Sequence, residues 1–454
     1  MSDITPASRT GLILSANAGS SSLKISLYEL VGDNSESPKL LLTSSISNIT
    51  APPVKFSFAP SEVSSTPQIK NEEVPAITEH ASAFAHFLDS LECKANIDKN
   101  RIVQVCHRVV HGGDFTDPVV ISDETYQHIE KLSDLAPLHN GAALAVIKAC
   151  IAVLPNANSI AFFDTAFHRS IPPHIAGYAI DQTVAKKRGL KKYGFHGLSC
   201  AERFPFPLPY HRSHSRRCVH TARCCAISQQ GTHPPSALNL IILHLGSGAS
   251  VCAVKEGCSY DTSMGLTPLN GLPGATRSGA IDPSLIFHYT NKAGRISHDP
   301  KVATQLHVTQ AEHILNSKSG WKSLTGTTDF GLITRRAKEG SAVDQLAFNL
   351  FKDRVLNYIG SYHLKLEGQV DALVFSGGIG ERSVELRSAI GAKLECLGYS
   401  GVGDANEDAD HKEGVVIDVS RGNPETKKIL ICRTDEQFEM ARQCAQSDKF
   451  WERV

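Results

Sequence analysis

Residues Ser15 to Leu27 read S-A-N-A-G-S-S-S-L-K-I-S-L, and the apolar run Gly11 to Leu14 precedes them. From Leu23 to Tyr28 apolar residues alternate in the strand period, so the stretch predicts a strand, a tight turn and a second strand. Gly19 permits close backbone approach, while Asn17, Ser20, Ser21, Ser22 and Lys24 gather amide, hydroxyl and ammonium donors suited to an anionic oxygen. A polar Ser/Gly turn can also serve structure alone, so the rest of the chain has to decide.

The chain has 454 residues, enough for two domains of roughly 150 to 250 residues each. Basic and acidic side chains balance at 46 each, which predicts neither a nucleic-acid groove nor an anionic membrane surface as partner. Met1 to Thr10 lacks the basic region and apolar core of a signal peptide. The longest apolar run, Ala142 to Leu154, is broken by Lys148 and is too short for a membrane span. A cytoplasmic protein is expected, with its 12 cysteines reduced because they follow no framework spacing.

Leu42 to Val74 is rich in Ser, Thr, Pro and Asn and reads as loop and edge structure, with Pro52 to Phe58 its one strand-like piece. Glu79 to Glu92 has helical spacing, and its His80 and His86 are expected at the surface. Arg101 to Gly113, R-I-V-Q-V-C-H-R-V-V-H-G-G, is a strand carrying Arg108. An arginine in an apolar strand needs an anion, either a structural carboxylate or a ligand. L-A-P-L-H-N, Leu135 to Asn140, leads into a helix, Ala142 to Val153. A strand then runs from Ser159 to Phe163 and closes on Asp164, in F-D-T-A-F-H, at the strand end where α/β folds place metal ligands and catalytic acids. Y-G-F-H-G-L-S, Tyr193 to Ser199, presents His196 at a turn; like His139, it sits in punctuated sequence where functional residues concentrate.

A second half begins near Ala237. Leu238 to Val254 repeats the opening design, and H-L-G-S-G-A-S-V echoes N-A-G-S-S-S-L-K, suggesting two related domains. The Gly- and Pro-dense loop Asp261 to Pro283 aims Arg277. Ala372 to Ser383, A-L-V-F-S-G-G-I-G-E-R-S, is a strand, a glycine turn and a helix start of the kind that meets nucleotides. A last strand, Ile429 to Cys432, is followed by T-D-E-Q and a helix from Gln437 to Gln446; Asp435 and Glu436 suit either Mg²⁺ or a helix N-terminus.

Ten of these motifs, in order over nearly the whole chain from N-A-G-S-S-S-L-K to T-D-E, resemble those of the acetate kinase family, carboxylate kinases of the actin/hexokinase/Hsp70 superfamily. The resemblance implies an α/β fold of two ribonuclease-H-like, actin-like ATPase domains with a cleft between them. One domain would span 1–168 plus 436–454 and the other 169–435. It implies Mg²⁺-dependent, reversible in-line transfer from ATP to acetate, giving acetyl phosphate and ADP. Mn²⁺ is an alternative metal, and a homodimer is the implied assembly. Arg108 and Arg277 would flank acetate and the transferring group, His196 would donate to its equatorial oxygens, and Asp164 and His139 would complete the catalytic set. Asn17, Ser20, Ser22 and Lys24 would lie along the phosphate path, with Asn17 and Glu436 near the metal. His244, Gly246, Ser247, Gly248, Asp329, Gly378, Ile379 and Arg387 would form the nucleotide site, and Val110, Leu138 and Pro273 the acetate pocket. Propionate or butyrate as acceptor differs only in pocket volume, and a non-catalytic nucleotide-binding relative is the rival from another class.

Three departures from the family pattern bear on nucleotide affinity and donor choice: Ser247 replaces an asparagine, T-T-D-F-G puts Gly331 where an arginine is expected, and G-E-R-S has Arg382 for asparagine. The largest departure is Phe204 to Ser236. It carries five prolines, four histidines, four arginines and three cysteines with neither helical nor strand period, where the family continues into an amphipathic helix. The spacing of Cys218, His220, Cys224 and Cys225 matches no common zinc template. The hypothesis is that this segment is translated non-coding or frame-shifted sequence. Recovery of peptides from Arg212 to Arg223 in protein from its own source would sink it.

Overall fold

The structure, a computed structural model, describes residues 9–30, 38–61, 67–133, 137–201, 238–289, 309–422 and 426–451, with only the backbone described at 137, 138 and 201. Phe204 to Ser236 therefore lies outside the described residues, as does the side chain of Leu138. The chain divides into two compact units, Met1–Ala166 with Asp435–Val454, and Phe167–Thr434.

The first unit is built on one sheet in the order β5-β4-β3-β2-β1-β6-β8-β7. Its strands are β1 (Leu12–Gly19), β2 (Ser22–Glu29), β3 (Lys39–Ser47), β4 (Lys55–Pro60), β5 (Ile69–Glu73), β6 (Ile102–Val109), β7 (Val119–Val120) and β8 (Asn158–Phe163). The opening stretch is the β1–β2 hairpin, in antiparallel register from Leu12↔Glu29 to Gly19↔Ser22. The two-residue period sorts its faces. Leu12, Leu14, Leu23, Ile25 and Leu27 enter a core with Phe84, Phe87 and Leu91 of the helix His80–Ala95 and Val146 of the helix Pro137–Val153. The opposite face carries Ser15, Asn17, Lys24 and Ser26, and Gln437 of the helix Glu436–Gln446 donates to Ser26 Oγ at 3.1 Å.

Leu42 to Val74 holds more strand than expected: the strand-like piece Pro52 to Phe58 overlaps β4, and β3 and the edge strand β5 extend the sheet on either side of it. In β3 the buried positions are Leu42, Ser44 and Ile46, alternating with exposed Thr43 and Ser45. A serine on the inward face erases the apolar alternation from which the strand would have been read. The two histidines also differ from expectation. His80 is buried with Nε2 2.7 Å from the Gly19 carbonyl, and His86 is half-buried, edge-on to Phe56 at 4.6 Å.

The second unit is built on a sheet in the order β11-β10-β9-β12-β14-β13. The strands are β9 (Leu240–Leu245), β10 (Ala249–Lys255), β11 (Cys258–Thr262), β12 (Ala372–Ser376), β13 (Val416–Asp418) and β14 (Lys428–Cys432). In both sheets three antiparallel strands are followed by two parallel ones: β3-β2-β1-β6-β8 and β11-β10-β9-β12-β14 share order and polarity. The sequence echo is thus a repeated ribonuclease-H-like unit, the pair that defines actin-like ATPases. The long helix Ala342–Lys365 buries Ala347, Phe351, Val355 and Ile359 with Ile241, Leu243, Val251 and Leu373, holding β9 and its hairpin turn rigid.

Candidate active site

In the first unit, β6 and β8 run parallel with Arg108 opposite Phe162 and Val109 opposite Phe163, so Arg108 meets Asp164 just past the end of β8. Arg108 Nε donates to both Asp164 oxygens, at 3.1 and 3.2 Å, and Nη2 donates to Oδ2 at 2.6 Å. Its Nη1 lies 3.3 Å from Glu436 Oε2 and donates to Asn17 Oδ1 at 3.1 Å. Asn17 in turn donates from Nδ2 to Glu436 Oε2 at 2.7 Å. One guanidinium therefore faces two carboxylates and an amide contributed by β1, β8 and the C-terminal helix. Burial disfavours the Arg108 cation, but the Asp164 and Glu436 charges outweigh this and push its pKa further up. Asp164 is fully buried and the Arg108 side chain is 16% exposed, so the cluster keeps one opening toward solvent.

The two acids of T-D-E-Q separate in role. Asp435 is the N-cap, accepting from Phe438 N at 2.9 Å, whereas Glu436 points into the Arg108 cluster. Ser20 and Lys24 are exposed, and Ser22 and Val110 are half-buried at the ends of their strands. Lys24 lines a small hollow of about 170 Å³ with Ser45, Ser57 and Gln437. His139 is half-buried in the first turn of the helix Pro137–Val153. Its neighbour Asn140, which sequence reasoning passed over, is fully buried. It clamps the His-Gly-Gly turn after β6, accepting from His111 N at 2.9 Å and donating to His111 O at 3.0 Å. The signal was its place beside His139 in L-A-P-L-H-N.

In the second unit, His196 adopts φ +59, a left-handed conformation uncommon for a side-chain-bearing residue and concentrated at functional sites. Gly194 just before it is required: a Cβ there would stand 2.5 Å from Thr262 and 2.6 Å from the His168 ring. His196 Nδ1 is 2.8 Å from Ser250 Oγ, and its ring stacks on His244 with centroids 4.2 Å apart. The β9–β10 turn brings Gly248 against both candidate donors, for a Cβ at Gly248 would lie 3.2 Å from Arg277 Nη1 and 3.6 Å from His196 Nε2. Gly246 N donates to Gly248 O at 3.1 Å, and the exposed Ser247 accepts through its backbone oxygen from Ala275 N at 2.8 Å, tying the turn to the Arg277 loop. Pro273 lines an apolar cavity of about 530 Å³ with Trp321, Leu324 and Phe351.

The strand β12 ends in Ser376, and a short helix, Gly377–Arg382, starts at once. Gly377, at φ +74, lies against β9, where a Cβ would be 2.7 Å from Leu245 O; Gly378 is exposed, with open space where its Cβ would be. Half-buried Ile379 follows. Glu381 accepts from Gly377 N at 2.9 Å and Thr434 N at 3.3 Å; burial raises its pKa although these donors oppose the shift. Arg387 is fully buried and does not itself face open space. It donates to Gly380 O at 2.9 Å, to Glu381 O at 2.7 Å and to the side chain and backbone oxygens of Asn406, so it staples the turn from below. Asp329 caps the helix Phe330–Lys338 by accepting from Leu332 N at 3.1 Å.

Asn17, Asp164 and Glu436 offer the hard oxygens that Mg²⁺ prefers. Among the described residues no group of three or more His, Cys, Asp or Glu gathers as a metal cage, and Arg108 already compensates both carboxylates. Such a set fits a magnesium ion that keeps waters and arrives with phosphate ligands rather than a resident one.

The family model of the acetokinase family matches residues 12–204 and 220–442. The chain belongs to the acetokinase family. The break in the match, 205–219, falls within the divergent segment that begins at Phe204. Among relatives, the "Probable acetate kinase" of Emericella nidulans is 46% identical over 440 residues, covering 96% of this chain and 97% of that protein. The acetate kinase of Bacillus subtilis is 36% identical, covering 95% and 98%. Two solved structures cover nearly the whole chain. A propionate kinase from Francisella tularensis has TM-score 0.76 at 32% identity, covering 95% of this chain and 98% of that one. Acetate kinase from Porphyromonas gingivalis has TM-score 0.74 at 27%, covering 97% and 100%. Membership of the acetokinase family makes the two actin-like units an ATP-dependent kinase scaffold. Among the described residues no helix is long and apolar enough to cross a membrane.

Proposed function

We propose that the chain is an acetate kinase that transfers the γ-phosphoryl group of ATP reversibly and in line to acetate, giving acetyl phosphate and ADP. The observation that carries this is that each unit of an acetokinase-family chain holds one preorganised cluster: Arg108 held by Asp164, Glu436 and Asn17 in the first, and His196 with Arg277 against Gly248 in the second. A carboxylate oxygen of acetate attacks the γ-phosphorus as the bond to the bridging oxygen of ADP breaks. Acetate is ionised at neutral pH, so no general base is required. The protein's part is positioning and charge stabilisation. Arg108, locked by three partners, orients acetate; Arg277 and His196 donate to the phosphoryl oxygens as charge spreads over them. The main chain at Gly246, Ser247, Gly248, Gly378 and Ile379 leaves room for the nucleotide phosphates and base, with Arg387 holding the second of these turns. Val110 of the first unit and Pro273 of the second are the apolar residues that would select a short-chain acceptor.

Magnesium, with manganese as an alternative, supplies countercharge to the phosphates when bound. Glu436 and Asn17 are the residues that would hold it, partly through water. The protein acts in the cytoplasm as a homodimer. Exposed apolar side chains on the second unit, Phe287, Tyr289, Val343 and Leu346, support that assembly.

The likeness to a propionate kinase favours one second reading, a three-carbon acceptor. One methylene is worth about 1 to 3 kcal/mol in a pocket, so kcat/KM across C2 to C4 acids separates the two. The activity itself is tested by trapping acetyl phosphate as the hydroxamate. The wild type forms it with ATP, Mg²⁺ and acetate, and Arg277→Ala retains ATP binding but loses at least about a hundredfold in turnover. Near-normal turnover of Arg277→Ala refutes the assigned role.

A further inference from the structure

His196 Nδ1 is 2.8 Å from Ser250 Oγ, and Ser250 is only 3% exposed, fixed in β10 opposite His244 in the β9–β10 ladder. A hydroxyl can donate or accept, and a neutral imidazole can carry its proton on either nitrogen. The surroundings of the ring favour the neutral form. The His244 ring of β9 lies tilted against it with centroids 4.2 Å apart, and Arg277 Nη1 and His196 Nε2 both approach the position a Cβ on Gly248 would take, so a further full positive charge on the ring would meet repulsion. A neutral His196, however, can donate from Nε2 only in one of its two tautomers.

We propose that Ser250 is a positioning residue that donates its hydroxyl proton to His196 Nδ1 and so keeps the proton of the neutral ring on Nε2, the nitrogen that lies toward Gly248. His196 is then a hydrogen-bond donor without being a cation. The inference rests on the proposed activity only for what that donor meets, the transferring phosphoryl group. Among the described residues, the titratable and charged groups that approach the ring include His244 from β9 and Arg277 from the Asp261–Pro283 loop, while the hydroxyl at Nδ1 is that of Ser250.

The test compares wild type, Ser250→Ala and Ser250→Thr in two measurements. Hydroxamate-trapped turnover from pH 6 to 9 gives kcat and KM. With ¹⁵N-histidine label, the His196 ring nitrogens, assigned by their loss in His196→Gln, report the tautomer at pH 8. The wild type is expected to hold kcat through the alkaline range with Nε2 protonated. Ser250→Ala is expected to lose about tenfold in kcat at pH 8.5 with KM values within about twofold, as one lost hydrogen bond and a mixed tautomer allow. It recovers toward pH 6, where a charged ring donates from Nε2 again. Ser250→Thr restores the wild-type profile. A Ser250→Ala profile equal to wild type, or a wild-type His196 protonated on Nδ1 at pH 8, overturns the inference. A wild type that makes no acyl phosphate overturns the proposed function instead, and the nitrogen spectrum still decides the tautomer.

Discussion

Replacing Arg108 by methionine keeps much of the apolar stem but removes a positive charge set between two carboxylates. The structure indicates how large the effect is. Arg108 Nη2 stands 2.6 Å from the fully buried Asp164 and Nη1 3.3 Å from Glu436, whose side chain is 13% exposed. Breaking a buried pair from one side leaves an uncompensated charge and costs about 3 to 5 kcal/mol; with two carboxylates left facing each other, the upper half of that range is expected. Urea unfolding of the first unit, followed by Trp451 in a Trp321→Phe background, reads this directly, since the chain has two tryptophans. With a slope of roughly 2 kcal/mol/M the midpoint falls by about 2 to 2.5 M. The deficit depends on pH with a definite sign. Without Arg108 the native carboxylates hold protons more tightly than in the unfolded chain, where they titrate near 4. The deficit is therefore full at pH 7 and shrinks as pH falls toward about 4. Adding Asp164→Asn to the variant returns about 1 to 3 kcal/mol, because it removes one of the stranded charges. A midpoint shift below about 0.5 M, or one independent of pH between 4 and 7, would refute the claim that a single guanidinium holds this cluster together.

Arg387→Met removes the donors under Gly380 and Glu381 and leaves buried carbonyls unpaired. A loss of about 3 kcal/mol in the second unit is expected, with the KM for ATP raised several-fold and the KM for acetate unchanged; equal changes in both would remove its link to the nucleotide turn. Burial lowers the pKa of His107 to about 3, so the unfolded state, titrating near 6.5, binds the extra proton first. Stability should accordingly fall as pH drops from about 6.5 to 3, by up to roughly 5 kcal/mol for this residue. His107→Gln, which can still bond Ser159 Oγ, should flatten that acid limb, and an unchanged limb would assign the loss elsewhere.

The fold was legible wherever apolar period and chain order agreed. The Asn17–Lys24 hairpin, its echo at His244–Ser250, the strand ending on Asp164 and the glycine turn after β12 all stand where the sequence puts them, because each pattern is local. β3 and β5 were missed, β3 because Ser44 occupies an inward position and long-range pairing, not local alternation, makes the strand. His80 was misplaced for a related reason: its partner, the Gly19 carbonyl, is 61 residues away.

By itself, the sequence determined which residue types are present in which order, and hence the family, the repeated hairpin and the candidates Arg108, Asp164, His196 and Arg277. Only the tertiary structure decided what each of them meets. Parallel pairing of β6 with β8 turns an arginine that could have bound any anion into one paired with Asp164, and the C-terminal helix brings Glu436 across 328 residues of chain to the same guanidinium, while Asp435 beside it only caps the helix. The β9–β10 register sets Ser250 against His196 Nδ1, a pairing no spacing in the sequence encodes. The reason is physical: strand and turn propensities act over a few residues, whereas desolvation and hydrogen-bond geometry depend on every group that reaches the same point in space.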